Sequence, residues 1–562
     1  MKFRKLILLC FLLVSASAFS QTWLWGHHYG TSSFDYGRDV VTDFDGNVFY
    51  SGTIADSGYF LTDTIVGPAQ FLAKYDSLGN EIWIKHMFGN IGSAPYIDCD
   101  TENNLYYYTR LDADTTIFGS DTLLKTEGIL AVIKLDSDGN FLWSKNFIYN
   151  SGGGTSHIQQ GQLTVGFNDH VYLTGTFFDT AYFESTTLFP SNGNMFVVNF
   201  SPDGTEIWVS QFGALAGPTA SHAYEITSDE QHAVYVSGRF TWPSVFGEDT
   251  LIPQVDWGDG FITKINPNGQ CSWVVHAKGL NPGPSSGAGA STQIIGLAYD
   301  NNGHVYSAGG YNAPLIFGDS ILTNPYGIFT NCGFVTKYDT SGQFIWAKYY
   351  HHSFFDDITC DAAGNLYGIG RFMDSIQFDT TLFTINPYGS NDLFVTKFNA
   401  NGTTDWALNA NARIMSSPEL SIGKCQLNKA YISGSYIHPI AEFGGINLPA
   451  STSQQAFIAC VQDIASLSEC YFVSLPEEDQ SNSDLVVFPN PAFQSVTFLL
   501  ENSQESIEQV VLFDLSGRAL LTLDFSGHSE CTISIEHIPA GVYFYSVQKT
   551  SGEFISGKLI VQ

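Results

Sequence analysis

Gly283-Pro-Ser285-Ser-Gly287 has the GxSxG spacing of a nucleophile elbow, the turn that presents a serine hydroxyl for acyl transfer. That chemistry needs a strand before the serine and a helix after it. Here the surroundings read NPGPSSGAGAS, a loop with no helical run following. Two histidine pairs, His27-His28 and His351-His352, are of the residue type that binds metals. Neighbours on a strand point to opposite faces, so neither pair closes simply on one ion. Asp136-Ser-Asp138-Gly-Asn140 and Asp43-Phe-Asp45-Gly-Asn47 have the opening spacing of calcium loops but lack the later ligands, including the glutamate. They coincide with hairpin turns. There is no HExxH, no CxxC and no spaced His/Cys cluster. The sequence therefore assigns no catalytic, metal or cofactor-binding residue, and leaves calcium open only at those turns. Carboxylates are plentiful, so a glycosidase pair is not excluded by counting.

The elements that would have to position any such group are strands. Of 562 residues, 44% are hydrophobic, 15% aromatic and 14% charged, which is too apolar for a disordered chain. Acidic residues number 55 against 23 basic, a net charge of −32, which argues against nucleic acid and anionic lipid as partners. The aromatics, with many Gly, Asn, Asp, Ser and Thr, suggest short strands joined by turns.

An internal repeat organises the middle of the chain. An apolar Phe strand, a turn and a Trp strand recur, ending at Trp83, Trp143, Trp208, Trp273, Trp346 and Trp406, as in FLAKYDSLGNEIW. A Tyr strand after a polar turn recurs at Tyr50, Tyr106, Tyr172, Tyr235, Tyr306, Tyr367 and Tyr431, as in EQHAVYVSG. A short element follows it, as in IFGSDTL, VFGEDTL and IFGDSIL. In the first unit the four strands are expected at 39–42, 47–53, 71–75 and 81–87. His28, His86 and His276 each lie three residues after a Trp, where other copies have Asn146, Gln211, Tyr349 and Asn409, so these histidines occupy a tolerant polar position.

The seventh Phe strand, near Phe457, has no Trp strand after it. The missing strand stands at the other end, where Thr22–Gly30 reads TWLWGHHYG. A linear solenoid gains nothing from that displacement, whereas a closed ring is zipped shut by it. The expected fold is all-β: a seven-bladed β-propeller closed by its N-terminal strand, followed by a small Ig-like β-sandwich. Residues 22–462 resemble the bacterial β-propeller repeat family with the DxxGN…Y…G and F…K…G…W signatures. That resemblance is specific for fold and poor for function.

Both ends read as addresses. Lys2, Arg4 and Lys5 precede an apolar run from Leu6 to Val14 and small residues, the plan of a signal peptide spanning 1–20. Cleavage by signal peptidase between Ser20 and Gln21 is expected, taking the net charge from −32 to −35 because three basic residues leave. The expected mature chain has no membrane-spanning segment. Residues 463–484 read as a polar, acidic linker. Residues 485–562 resemble the type A sorting domain of the type IX secretion system of Bacteroidota. The resemblance rests on Pro489-Asn490-Pro491, on Gly517-Arg518, on Gly541 with Tyr543, and on the closing strand with Lys558. It implies export through that machinery to the medium or the outer-membrane surface, usually with removal of the domain. Asp-Thr-Leu triplets such as 121–123 and 249–251 resemble Bacteroidota O-glycosylation acceptors, though a repeated turn accounts for them. Eight cysteines remain after the leader, and Cys460 with Cys470 is the favoured disulfide.

In a four-stranded blade the 2–3 and 4–1 connections share one face, and here they are the long, dissimilar ones. Variable loops on a rigid scaffold are where binding sits. Ser93, Ser156, Ser221, Ser291, Ser353 and Ser417 recur there before the first strand and are the candidate binding-face residues. The expected function is non-catalytic binding or scaffolding of an extracellular protein or glycan. The alternative is a polysaccharide-degrading glycosidase or lyase on the same scaffold, the lyase being disfavoured by the scarcity of Arg and Lys. Adhesion or gliding machinery uses the same export route and is a third reading.

Overall fold

The structure is a computed structural model that describes residues 22–462 and 485–561 apart from connecting segments. The longer of these are 89–94, 125–129, 148–157, 190–193, 216–220, 281–288, 386–390, 415–419, 424–428, 438–440, 450–452, 489–491, 501–504 and 514–518. Every described element is a strand. The contacts divide the chain into two units, residues 20–463 and a second that contains 464–562.

One four-strand motif recurs through the first unit. Its first copy is Tyr36–Thr42, Val48–Ile54, Ala69–Tyr75 and Glu81–Phe88, hydrogen-bonded in that order. The four expected segments fall on these strands. The register also repeats: Trp83 lies opposite Lys74, Trp143 opposite Lys134, Trp273 opposite Lys264, Trp346 opposite Lys337 and Trp406 opposite Lys397. Each pair is followed by a bulge, which aims the side chains in the same way in every copy.

The N-terminal strand Thr22–Tyr29 pairs with Gln454–Gln462, at the edge of a sheet completed by Lys429–Ile437 and Ser421–Ile422. His28 lies opposite Phe457 just as His86 lies opposite Phe71 and His276 opposite Phe261. The displaced strand thus takes the Trp-strand place in the last sheet. The first strands of the sheets pack side by side in sequence order, from Tyr36–Thr42 through Tyr96–Cys99, Ile158–Val165, His222–Ser228, Thr292–Tyr299 and Ser353–Cys360 to Ser421–Ile422. Ser421–Ile422 in turn packs against Tyr36–Thr42.

Neighbouring sheets are latched by chemistry carried in the repeat. The rings of Trp25, Trp83, Trp143, Trp208, Trp273 and Trp346 each lie on the glycine that turns the last hairpin of the next sheet. A Cβ at Gly79 would come within 2.7 Å of the Trp25 ring, and one at Gly269 within 2.9 Å of the Trp208 ring. Both glycines have a φ above +80°, so the turn needs glycine twice over. The indole N–H groups of Trp143, Trp208 and Trp273 donate to the carbonyls of Pro202, Pro267 and Thr340 in those turns. Lys74, Lys134, Lys264, Lys337 and Lys429 donate to turn carbonyls of the next sheet, at Ser137, Pro202, Thr340, Ala400 and Ser77. The charges of Lys74, Lys134, Lys264 and Lys337 are countered by turn aspartates, as in Lys134–Asp100 at 2.9 Å and Lys264–Asp229 at 3.0 Å. A buried charge is tolerated only with such a partner.

The short third element forms hairpins that cross to the preceding sheet. Thr115–Phe118 pairs with Glu81–Phe88, Ser244–Phe246 with Glu206–Ala214, and Leu315–Phe317 with Cys271–Gly279. This covers the outer edge of each Trp strand involved, where unpaired backbone would otherwise face solvent.

The second unit has a three-stranded sheet of Leu485–Phe488, Ser495–Leu500 and Glu530–Ser534. It also has a four-stranded sheet of Ala519–His528, Ile507–Phe513, Gly541–Lys549 and Phe554–Val561. The two share one core that includes Phe498, Leu512, Ile533, Tyr543 and Leu559.

Candidate functional site

The first strands enclose a cavity in two lobes. One, of about 320 Å³, lies towards the strand starts and is lined by Arg38, Asp39, Tyr96, Gln162, Tyr224, Glu225, Gln293, Asp356, Asp357 and Arg371 among others. The other, of about 290 Å³, lies towards the tight turns and includes Phe44, Phe167 and Asn301. Asp39, Gln162, Glu225, Asp357 and Ser421 line both lobes and so form a polar belt between them.

The repeat explains why the belt exists. One position on the first strands is aliphatic in every copy: Val40, Ile97, Leu163, Ile226, Leu297, Ile358 and Ile422, each packed into its sheet. At the residue before it the repeat is broken: Asp39, Tyr96, Gln162, Glu225, Gly296, Asp357 and Ser421, of which all but Gly296 line the cavity. In four strands a bulge precedes this position, between residues 37 and 39, 223 and 225, 294 and 296, and 355 and 357, and in a fifth the irregularity between 160 and 163 includes Gln162 itself. The bulged residues include Arg38, Tyr224 and Asp356, which the extra residue turns towards the cavity.

The belt carboxylates also tie adjacent strands. Asp39 accepts from the N–H of Val40 at 2.9 Å and from that of Ile97 on the next strand at 3.0 Å. Asp357 accepts from Ile358 at 2.7 Å and from Ile422 at 2.9 Å. Glu225 accepts from Ile226 at 3.1 Å. Burial pushes the Asp39 carboxyl up to about 6, against those hydrogen bonds. Burial, with the nearby Asp39 charge adding, pushes Asp357 up to about 7. Glu225 is pushed well up by burial and then by the Asp357 charge. Asp356 is paired with Arg371, whose guanidinium lies 4.7 Å from the Phe354 ring centre. Burial raises Asp356 to about 6 even so. Arg38 lies 4.2 Å over the Tyr96 ring.

Trp257 stands beside the start of one cavity strand. Its backbone N–H donates to Ala290, and Gly258 accepts from Thr292, the residue before Gln293. Trp257 is 58% exposed. Of the ten tryptophans, it and Trp242 alone lie outside the Trp strands, and both are exposed.

The residues singled out in the sequence sit elsewhere or outside the described residues. Ser221, Ser291 and Ser353 open their first strands but do not line the cavity. The Ser353 hydroxyl donates to Tyr350 at 2.9 Å, and the Ser291 N–H donates to the Asn312 side chain at 2.7 Å. Ser221 lies 3.3 Å from the Ser244 hydroxyl. Ser93, Ser156, Ser417 and the segment 283–287 lie outside the described residues, as do Ser20 and Gln21. So do Pro489, Asn490, Pro491, Gly517 and Arg518. Gly541, Tyr543 and Lys558 lie on paired strands, with Tyr543 buried and Lys558 opposite Phe544.

His27 contacts the Gly79 carbonyl at 2.8 Å. His351 lies 3.3 Å from the Cys332 sulfur. Burial pushes that thiol up to about 11, so the pair is no thiolate–imidazolium nucleophile. The Asp43 and Asp136 carboxylates accept the N–H groups two and four residues on, which spends them on their turns. Among the described residues no three His, Cys, Asp or Glu side chains gather as a metal-ligand set. No disulfide joins described cysteines; Cys460 is a buried thiol, and Cys470 lies outside the described residues.

Residues 486–562 match the family described as the secretion system C-terminal sorting domain. The chain thus carries a type IX sorting tail and is exported, to the medium or the cell surface. No helix among the described residues is long and apolar enough to cross a membrane. No curated protein matches the chain. Solved structures similar to it include a protein of unknown function from Dyadobacter fermentans, at 10% identity and TM-score 0.35, covering 79% of this chain and 99% of that one. An alpha-L-arabinofuranosidase from Fusarium graminearum is similar at 11% identity and TM-score 0.32, covering 78% and 97%. A polysaccharide lyase of the ulvan lyase type is similar at 9% identity and TM-score 0.30, covering 75% and 86%.

Proposed function

We propose that this exported protein is a seven-bladed propeller, closed by its N-terminal strand, that binds an extracellular glycan at the cavity between its first strands. The side-by-side order of those strands and the pairing of Thr22–Tyr29 with Gln454–Gln462 support the ring. One observation carries the binding reading. Where the repeat would allow any small residue, the cavity wall gathers two guanidiniums, four carboxylates, two carboxamides and two tyrosines. Rings and fixed hydrogen-bonding groups lining a cavity are the means by which polar ligands are held. The leader is proposed to end at Ser20, and the sorting domain to be a removable passenger that sets the route and not the ligand.

A second reading, hydrolysis of glycosides, is favoured by one feature. Asp39 and Asp357 are two carboxyls lining one cavity, both raised by burial, with the Asp39 charge raising Asp357 further, and a pair of carboxyls is what glycoside hydrolysis uses. The test is a glycan binding screen on the secreted protein, with a parallel assay for release of reducing ends. Saturable binding that Arg371→Ala weakens at least tenfold, without turnover, supports the first reading. Turnover abolished by Asp357→Ala would replace it with the second. Binding untouched by both substitutions would move the site away from the cavity.

A further inference from the structure

A smaller pocket of about 100 Å³ adjoins the cavity and is lined by Asn331, His352, Phe354, Arg371, Met373 and Asn391 among others. Phe354 and Arg371 also line the lobe of about 320 Å³, so they form a wall shared by the two. The guanidinium is held there by Asp356 and by the Phe354 ring, 4.7 Å from its centre. The pocket lies where the connections of this face are shortest. Elsewhere the chain passes from one sheet to the next through residues 30–35, 89–95, 148–157, 215–221, 280–291 and 414–420. Between Phe344–His351 and Ser353–Cys360 it passes through His352 alone, which turns in the left-handed region with a φ of 59°.

The repeat is also broken inside this pocket. The third strands of four sheets begin at corresponding places, with Ala69 opposite Ile54, Asp259 opposite Phe240, Cys332 opposite Tyr311 and Asp392 opposite Phe372. The residue just before is Pro68 and Gly258 in the first two, but Asn331 and Asn391 in the last two. Two adjacent sheets thus bring one carboxamide each to the same pocket. Asn391 is only 8% exposed, yet its carboxamide has no hydrogen-bond partner among the described residues and is not sealed from solvent. Asn331 is exposed and equally unpartnered. A carboxamide buried as far as Asn391 calls for a partner with both a donor and an acceptor.

We propose that this pocket receives the acetamido group of an N-acetylated sugar, carried over the Phe354–Arg371 wall by the glycan bound in the cavity. The inference rests on the glycan-binding reading and deepens it by naming the class of sugar. An acetamido group has one N–H donor and one carbonyl acceptor, the complement of the Asn391 carboxamide. It is neutral, which suits a wall whose Arg371 charge is already countered by Asp356. Its methyl group has apolar neighbours in Phe354 and Met373. The pocket of about 100 Å³ is several times the ~30 Å³ share of one water, so a bare hydroxyl leaves it underfilled.

The test uses two pairs of sugars that differ in acetamido against hydroxyl on a common backbone. They are tri-N-acetylchitotriose with cellotriose, and N-acetyllactosamine with lactose. Binding to the full secreted chain is measured by calorimetry. In at least one pair the acetamido member should bind roughly tenfold tighter or more, the size of effect expected when a site's buried polar group is otherwise left unpaired. Asn391→Ala should remove most of that ratio. Asn331→Ala changes an exposed residue and should also lower it, which keeps the test decisive if the buried substitution prevents folding. Equal binding within both pairs, or a ratio untouched by both asparagine substitutions, overturns the inference and leaves the glycan-binding reading in place. If neither pair binds, the strongest ligand of the glycan screen decides. It must carry acetamido groups and lose roughly tenfold in affinity when they are removed, and otherwise the inference fails alone. If no glycan binds at all, both fall.

Discussion

At the scale of single residues, the belt carboxylates sit in a conflict that pH should expose. Their folded values lie above the ordinary ones, so between about pH 4 and pH 7 the folded protein holds protons that the unfolded chain has released. The stability they contribute is complete at the acid end and is lost as pH rises through about 6 for Asp39 and about 7 for Asp357. The melting temperature should fall between pH 4.5 and pH 8. Glu225→Gln, which removes one charge from the coupled set, should flatten that fall and raise the melting temperature at pH 8 by roughly 2 °C or more. A steeper fall in the variant would refute the account. Turn aspartates such as Asp136 do not confuse the window, because hydrogen bonds from Asn140 outweigh burial and hold that carboxyl below its usual range. The belt was poorly legible beforehand for a physical reason. Arg38, Tyr224 and Asp356 lie on bulges, and a bulge shifts the alternation by one, so a strict period of two sends them to the wrong face. The recurring serines were legible as a column, of which Ser221, Ser291 and Ser353 stand at strand entries outside the cavity lining.

At the scale of elements, the repeat was readable because its signals are local. A polar turn with glycine, an aromatic and a β-branched run identify a strand wherever they fall. The crossing hairpins were readable as elements but not as partners, since Thr115–Phe118 pairs with Glu81–Phe88 across a sheet boundary that no local pattern marks. The Trp–Gly latch gives a graded prediction. Gly269→Ala meets both a left-handed φ of 82° and a ring atom of Trp208 at 2.9 Å. Gly303→Ala meets a similar φ of 84° with nothing within 4 Å. Denaturant unfolding should show a loss of about 1–2 kcal/mol for Gly303→Ala, the backbone cost alone. Gly269→Ala should lose clearly more, and equal losses would remove the latch from the account.

At the scale of the whole molecule, the count of displaced strands anticipated the pairing of Thr22–Tyr29 with Gln454–Gln462. Nothing in that count required contact order or a known fold, only that an unmatched strand at one end and a vacancy at the other be the same strand. Deleting residues 22–30 should leave Gln454–Gln462 as a bare edge and strip Trp23 and Trp25 from their clusters. The truncated protein should unfold less cooperatively, at a lower denaturant midpoint, and should associate through that edge in sedimentation. Undiminished stability would mean that the remaining sheets hold the proposed ring without a clasp.

That clasp also sets a timetable. The strand made first finds its partner only when the strand at Gln454–Gln462 has been made, more than four hundred residues later. Thr22–Tyr29 must therefore stay uncommitted through almost the whole birth of the chain. An interruption anywhere along the way leaves two mismatched ends, each a sheet edge seeking a partner. The price of sealing the circle with its own beginning is that a half-delivered molecule is sticky at both extremities.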